Sequence, residues 1–398
     1  MTTTLVRYWG REARSLKEIE SFAALFQRGA ARGWNTHIVF ARPPEDLTWM
    51  SPLKEIGVQV EYIPRPRSNF DWEIMRQTYE LCRRVQASII HCDNTHTSPL
   101  IGAYFARVPA RLWFKRAMEP AYAEVRDSTW RDRWAPSLHL SCRLATTTVA
   151  VSEVVRDELV DLHIPPAKVC VFHNSANLRA IHLGDRARVR ASLGYDDSHV
   201  VISTVGRAAP VKGWDTLLEA FAKVYKTLPQ ARLLLIGGID RSDEREGYAE
   251  LQRFVDRHGL REQVRFAGHQ ENIGELLSAL DVFAFPSRSE GYGVALQEAF
   301  ILGSACVATK VGIAPTMIVH GTNGFLVERN NPNEMAEALT TLVADQELRQ
   351  KFALAARESN FGYSMDEYGD RLYELYQSML NGGQTTAFEN KEARRRVA

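Results

Sequence analysis

Short apolar runs alternate with stretches of helical periodicity along most of the chain. Leu5-Val6-Arg7-Tyr8 is a short, weakly marked strand. Ser15-Leu16-Lys17-Glu18 is a capping-box pattern ahead of Ile19, Phe22, Ala23, Leu25 and Phe26, which recur on one helical face. Arg32-Gly33 stops that helix. Strands are predicted at 36–40, 58–63 and 87–91, a further strand ends within 111–116, and a helix covers 72–85. After Asn174 the periodicity lapses. Residues 182–190 are polar and charged, so the connection between two domains is placed near 178–198. Strands recur at 200–205, 231–237, 263–267, 281–285 and 305–309, with helices over 214–227 and 364–380. Short apolar strands separated by helices describe βαβ units and parallel sheets. The expected fold is α/β, with two Rossmann-like parallel-sheet lobes facing each other across a cleft. The polar tail over 381–398, with its Arg394-Arg395-Arg396, is expected to be disordered.

Composition narrows the function classes. A formal charge of +1 over 398 residues provides no net field to attract a nucleic acid. The five cysteines (Cys82, Cys92, Cys142, Cys170, Cys306) are scattered and odd in number, without a Cys-x-x-Cys pair. That argues against a disulfide framework or structural zinc and for a reducing compartment. No apolar stretch approaches the length of a membrane span and no charged-then-apolar leader is seen, so a soluble, cytoplasmic protein is expected. Gly237-Gly238 lacks the rest of a Gly-x-Gly-x-x-Gly fingerprint, which speaks against a dehydrogenase.

Two strand ends carry candidate chemistry. The run 281–286 leads into Ser289-Glu290-Gly291-Tyr292-Gly293-Val294-Ala295-Leu296-Gln297-Glu298, where a glycine-bearing turn opens a helix. Backbone N–H groups and the positive end of the helix dipole at such a turn suit a phosphate or diphosphate. Glu290 in the turn and Glu298 within the helix bracket it, and carboxylates accept hydrogen bonds from hydroxyls. Acids flanking a diphosphate site fit a sugar–diphosphate–ribose ligand. Upstream, the strand 201–205 ends in Gly206, and the following loop presents Arg207 and Lys212. A planar guanidinium and a point charge suit two adjacent phosphates at the carboxyl end of a parallel sheet. In the first half, His91, Asp93 and His96 sit at a strand end, either holding backbone or meeting an acceptor; nothing nearby completes a metal ligand set. The run 126–134 mixes bases with Trp130 and Trp134, which suits packed tryptophans, a sugar ring or peripheral membrane contact.

Gly206-Arg207…Lys212-Gly213 followed by Pro286-Ser287-x-x-Glu290-Gly291-x-Gly293-x-x-x-x-Glu298-Ala299 resembles the donor half of the family 4 retaining glycosyltransferases of GT-B architecture. The likeness continues through Gly303–Val307 and Gly321-x-Asn323-Gly324-Phe325-Leu326-Val327. Upstream, Thr148–Glu153 and Val171–Asn174 resemble further family stretches. It implies an acceptor lobe over 1–180, a nucleotide-sugar lobe over 195–362, and a C-terminal helix at 363–380 crossing back to the first lobe. The implied reaction moves a hexosyl or N-acetylhexosaminyl group from a nucleoside diphosphate sugar, of UDP or GDP type, to a sugar, lipid or natural-product acceptor. It proceeds with retention and without a metal or other cofactor. Arg207, Lys212 and Glu290 would be catalytic, with Gly206, Gly291, Tyr292, Gly293, Val294 and Glu298 completing the donor site. His91, Asp93, His96 and Lys115 are the acceptor-side candidates, although relatives often carry a His near Lys115. The chain also departs from the pattern in its single-glycine loop over 9–14 and at Thr316, where relatives often have Glu. A nucleotide-sugar 2-epimerase, a sugar phosphorylase and a non-catalytic nucleotide-sugar-binding subunit are the rival readings. A phosphorylase usually carries a cofactor lysine, for which this chain shows no motif, and a binding subunit would be expected to have lost Arg207, Lys212 or Glu290, all of which are present.

Overall fold

The computed structural model describes residues 2–13, 15–93, 96–118, 136–175, 181–239, 245–270, 272–359 and 361–382. The chain divides into two compact units: residues up to 174 joined by the segment from 363 onward, and residues 175–362.

The first unit holds a seven-stranded sheet, β1 (Thr4–Tyr8), β2 (Asn35–Phe40), β3 (Gln59–Tyr62), β4 (Ile89–Asp93), β5 (Ala110–Lys115), β6 (Thr147–Ala150) and β7 (Val169–Val171), in the order β3-β2-β1-β4-β5-β6-β7. Every pairing is parallel. The strand that the sequence marks most weakly, β1, lies inside this sheet with all five residues buried. Its apolar run is interrupted by Arg7, which the sheet accommodates by an ion pair to Asp93 on β4. Ser15 caps the Leu16–Ala31 helix by accepting the Glu18 N–H, and Ile19, Phe22, Leu25 and Phe26 face the core. The last helix, Met365–Leu380, starts with a full capping box between Ser364 and Glu367. It packs on the first unit: Arg28 bonds Asp366 at 2.7 Å and Asp370 at 3.0 Å, and the Tyr373 and Trp34 ring centroids are 5.1 Å apart.

The second unit holds β8 (Val200–Val205), β9 (Ala231–Ile236), β10 (Val264–Gly268), β11 (Val282–Phe285), β12 (Ala305–Thr309) and β13 (Phe325–Val327), in the order β10-β9-β8-β11-β12-β13. These pairings are also parallel. Trp214, Leu217, Leu218, Phe221 and Val224 of the Trp214–Thr227 helix are buried against this sheet. The charged stretch read as an interdomain connection contains a helix, Arg186–Ser192. It is held by Arg190, buried and bonded to Asp281 and to the carbonyls of Asp196, His199 and Ala279. Both sheets reverse their winding once, between β1 and β4 and between β8 and β11. In doubly wound sheets, ligands bind beyond the carboxyl ends of strands at such reversals. Among the described residues, no helix is long and apolar enough to cross a membrane.

Candidate functional site

The two sequence stretches singled out for a donor lie on either side of the β8/β11 reversal. Gly206 directly follows β8, its N–H bonded to the Ile236 carbonyl at 2.9 Å. The chain then turns through Pro210–Lys212 to Gly213, which starts the Trp214–Thr227 helix in the left-handed region at φ 64°. A Cβ at Gly213 would stand 2.1 Å from the Pro286 carbonyl oxygen, so this residue lets the two loops approach each other. Across from it, β11 ends at Phe285 and the loop closes at Gly293 (φ 100°), the N-cap of the Val294–Ile301 helix. Gly293 supplies no side-chain cap, so the helix's electropositive end is not quenched by its own cap residue.

Side chains then stitch the loops together. Lys212 Nζ donates to Glu290 Oε1 at 2.5 Å, and Ser287 Oγ donates to the same oxygen at 2.9 Å. The Arg288 N–H bonds the Val211 carbonyl at 2.8 Å, and its guanidinium reaches Asp215 at 2.6 Å and the Pro210 carbonyl. Thr309 Oγ1 donates to the carbonyls of Ser287 (2.6 Å) and Phe285 (3.1 Å), and the Ile313 N–H bonds the Tyr292 carbonyl at 2.7 Å. The Lys212–Glu290 pair offsets a carboxylate that would otherwise repel a phosphate. Arg207 is partly buried in the same loop, and Val294, Ala295 and Glu298 lie on the helix, where burial pushes the Glu298 carboxyl up to about 7. Gly206, Arg207, Lys212, Glu290, Gly291, Tyr292 and Gly293 thus belong to two loops in direct contact. The sequence reading passed over Arg288 and Ser287 as parts of this assembly. Ser287 stands within the Pro-Ser motif, but Arg288 has no local signal because its side-chain partners lie 42 to 78 residues away.

In the first unit the acceptor-side candidates separate. His91 is fully buried, stacked on Phe114 at 4.3 Å, set against the Arg7 guanidinium and 2.6 Å from the Tyr376 hydroxyl. Burial, with Arg7, pushes its imidazole down to about 3. Its expected contact with an acceptor is therefore corrected: it is a neutral packing residue joining β4 to the last helix. Asp93 receives Arg7 and Arg116, each at 2.5 Å. Burial alone would raise its carboxyl, but Arg116 and Arg7 outweigh that and hold it well below the usual carboxylate range. Arg116 also bonds Asn174 at 2.8 Å. Asp93, His96 and Lys115 do line a common cavity of about 660 Å³ beyond the β1/β4 reversal, together with Trp9, Gly10, Arg11, Arg65 and Trp113. His96 is exposed and 3.1 Å from Asn69, whereas Lys115 is buried. The single-glycine loop lies at this cavity, with the Arg11 guanidinium 5.0 Å from the Trp9 ring centroid.

The remaining family-like stretches are also placed. Glu153 meets His173 at 3.0 Å, and Asn323 accepts the Val319 N–H at 2.8 Å. Thr316 sits partly buried in the short Ala314–Met317 helix. The run 126–134 and the tail beyond 382 lie outside the described residues. Among the described residues no group of three or more His, Cys, Asp or Glu side chains gathers so as to hold a metal.

Known proteins share this architecture and sequence. The family model for glycosyl transferases group 1 matches residues 185–359, and that for glycosyltransferase family 4 matches residues 21–179. The N-acetyl-alpha-D-glucosaminyl L-malate synthase of Bacillus anthracis is 30% identical over 362 residues, covering 88% of this chain and 91% of that protein. The D-inositol 3-phosphate glycosyltransferase of Mycobacterium ulcerans (strain Agy99) is 27% identical over 394 residues, covering 87% and 83%. Among solved structures, Anabaena HepE in complex with UDP and glucose superposes with a TM-score of 0.75 at 20% identity, covering 95% of this chain and 100% of that one.

Proposed function

Because the chain belongs to the family 4 glycosyltransferases of GT-B architecture, we propose that it moves a hexosyl or N-acetylhexosaminyl group from a UDP- or GDP-sugar, with retention of configuration, to a small hydroxylated acceptor bearing an anionic group. The observation that carries the donor half is the meeting of the Gly206–Gly213 and Pro286–Gly293 loops, with Lys212 bonded to Glu290 at 2.5 Å. As the bond from the anomeric carbon to the diphosphate oxygen breaks, negative charge gathers on the leaving group. Arg207, Lys212 and the first-turn N–H groups of the Val294–Ile301 helix stabilise that charge, the largest single contribution in such a site. Glu290 holds sugar hydroxyls and positions the anomeric carbon, and Glu298 accepts the ribose hydroxyls. The acceptor oxygen bonds to the anomeric carbon on the face the diphosphate leaves, and its proton passes to a departing phosphate oxygen. Lysine and arginine meet the charge of the diphosphate, so turnover persists in excess chelator.

The acceptor half rests on the cavity of the first unit. Among the described residues, Arg11, Arg65 and Lys115 line it with Asp93, which faces Arg7 and Arg116. Such a balance favours a carboxylate or phosphate beside the reacting hydroxyl. The names of the two relatives, with malate and inositol 3-phosphate, support the same chemistry.

The test is a matrix of UDP- and GDP-hexoses and N-acetylhexosamines against malate, inositol phosphate and their uncharged analogues, read by nucleoside diphosphate release and by NMR of the product anomer. Retained configuration with an anionic acceptor is expected. An inverted product overturns the retaining reading, equal use of uncharged analogues overturns the anionic one, and a 2-epimerised nucleotide sugar without an acceptor favours the epimerase.

A further inference from the structure

The cavity of the first unit holds two hydrogen-bond donors that the fold itself leaves unused. Trp9 directly follows β1 and Trp113 lies on β5, and both line the cavity. Trp113 is only 4% exposed, and neither indole N–H has a hydrogen-bond partner among the described residues. An indole nitrogen can only donate, and a buried one ordinarily finds a partner. Two unmet donors in one cavity therefore call for oxygen atoms supplied from outside the protein.

The rest of the wall favours the same kind of group. Arg11, Arg65 and Lys115 add cationic donors, whereas the carboxylate and amide oxygens are engaged: Asp93 faces Arg7 and Arg116, and Asn69 Oδ1 lies 3.1 Å from His96 Nδ1. The Ser98–Phe105 helix also opens here, with its N-cap Thr97 in the wall. The Thr97 hydroxyl lies 3.1 Å from the Ser137 carbonyl oxygen and 3.0 Å from Ser141 Oγ, and it caps none of the helix's own N–H groups. Such a helix end attracts an anion. A phosphomonoester suits this surplus of donors best, because it brings about two negative charges and three strongly accepting oxygens, more of both than a carboxylate. We propose that Trp9 and Trp113 are specificity-determining residues, whose indole N–H groups donate to the oxygens of a phosphomonoester carried by the sugar acceptor. This rests on the glycosyl-transfer reading above and selects phosphate over carboxylate within it.

NMR of the full chain, isotope-labelled at the indole nitrogens of its eight tryptophans, tests this without any turnover. Trp9→Phe and Trp113→Phe assign the two resonances. Inositol 3-phosphate should move both downfield, and malate and inositol should move neither. In transfer assays with inositol 3-phosphate, each variant should raise KM about tenfold for one lost bond to a charged group, with kcat little changed. If a variant does not fold, the wild-type spectrum still decides, since two of the eight indole signals must move. Signals that stay in place, or variants with the wild-type KM, overturn the proposal even where transfer is found. Shifted signals without transfer to any acceptor sustain it and overturn the transfer reading instead. Equal shifts with malate overturn the choice of phosphate, and equal shifts with the diester glycerophosphoinositol overturn the choice of a monoester in favour of a lipid-type headgroup.

Discussion

The two sheet reversals of this protein are built alike and furnished differently. At β8/β11 the carboxyl ends lead into glycine-bearing loops whose charged residues, Lys212 and Glu290, sit partly exposed and bond each other. At β1/β4 the corresponding charges, Arg7 and Asp93, are withdrawn into the sheet, and the cavity beyond is faced by Arg11, Arg65 and Lys115. The first arrangement concentrates its parts in two short segments. The second draws on the ends of β1, β4 and β5, the segment 65–69 ahead of β4, the Pro136–Leu144 helix and, through the His91–Tyr376 contact, the last helix. A site assembled from contiguous loops can be changed at one residue without disturbing the fold. A site floored by a buried ion network cannot.

Substitutions test that contrast. The largest effect is expected from Asp93→Ala, which leaves Arg7 and Arg116 facing each other without their carboxylate. Loss of one partner from a buried network costs about 3–5 kcal/mol, to be read by urea unfolding at neutral pH. The same carboxylate makes the wild type acid-sensitive. Its pKa is depressed in the folded state, so its contribution is present above the unfolded carboxyl value and is lost as pH falls below it toward the folded one. A wild-type unfolding midpoint that stays flat on acidification into that range would contradict this role.

Next come Arg207→Ala and Lys212→Ala. Each should lower kcat on the order of a hundredfold, about 3 kcal/mol of transition-state stabilisation, with little change in unfolding midpoint. Near-normal turnover at saturating donor would remove that residue from the reaction. Gly213→Ala tests the close approach of the two donor loops: a side chain at φ 64°, 2.1 Å from the Pro286 carbonyl, should cost roughly 1–3 kcal/mol. Here donor affinity should fall along with stability, because the loops must part; unchanged affinity would show that their contact is dispensable.

The smallest effect belongs to Glu298. With its carboxyl pushed up to about 7 by burial, it is mostly protonated at lower pH and becomes an acceptor for hydroxyls as pH rises through that value. Nucleoside diphosphate affinity should therefore increase, by roughly tenfold between one unit below and one unit above that pKa. Isothermal titration of Glu298→Gln should give an affinity that is weaker and flat with pH. A profile identical to the wild type would separate Glu298 from the ribose.

Much of this was legible from residue order. Period and turn chemistry located the Trp214–Thr227 and Met365–Leu380 helices within a residue, and Ser15-x-x-Glu18 announced the cap of the Leu16–Ala31 helix. Elsewhere the pattern misled for a physical reason. Arg7 made β1 look weak because the residue that neutralises it, Asp93, is 86 positions away. The charged stretch around Arg186–Ser192 looked like a linker because Arg190 finds its acceptors on Asp281 and on backbone carbonyls. His91 looked available because a histidine at a strand end carries no mark of what stacks on it.

Residue order set the α/β alternation, the two sheets and the glycine–cation–carboxylate segments at the β8/β11 reversal, because backbone preference and hydrophobic period depend on near neighbours. Which charges are spent inside the fold and which stay at loop surfaces was settled only by tertiary packing. That choice depends on desolvation and on partners brought in by strand order, and strand order in a parallel sheet joins residues that the chain keeps far apart.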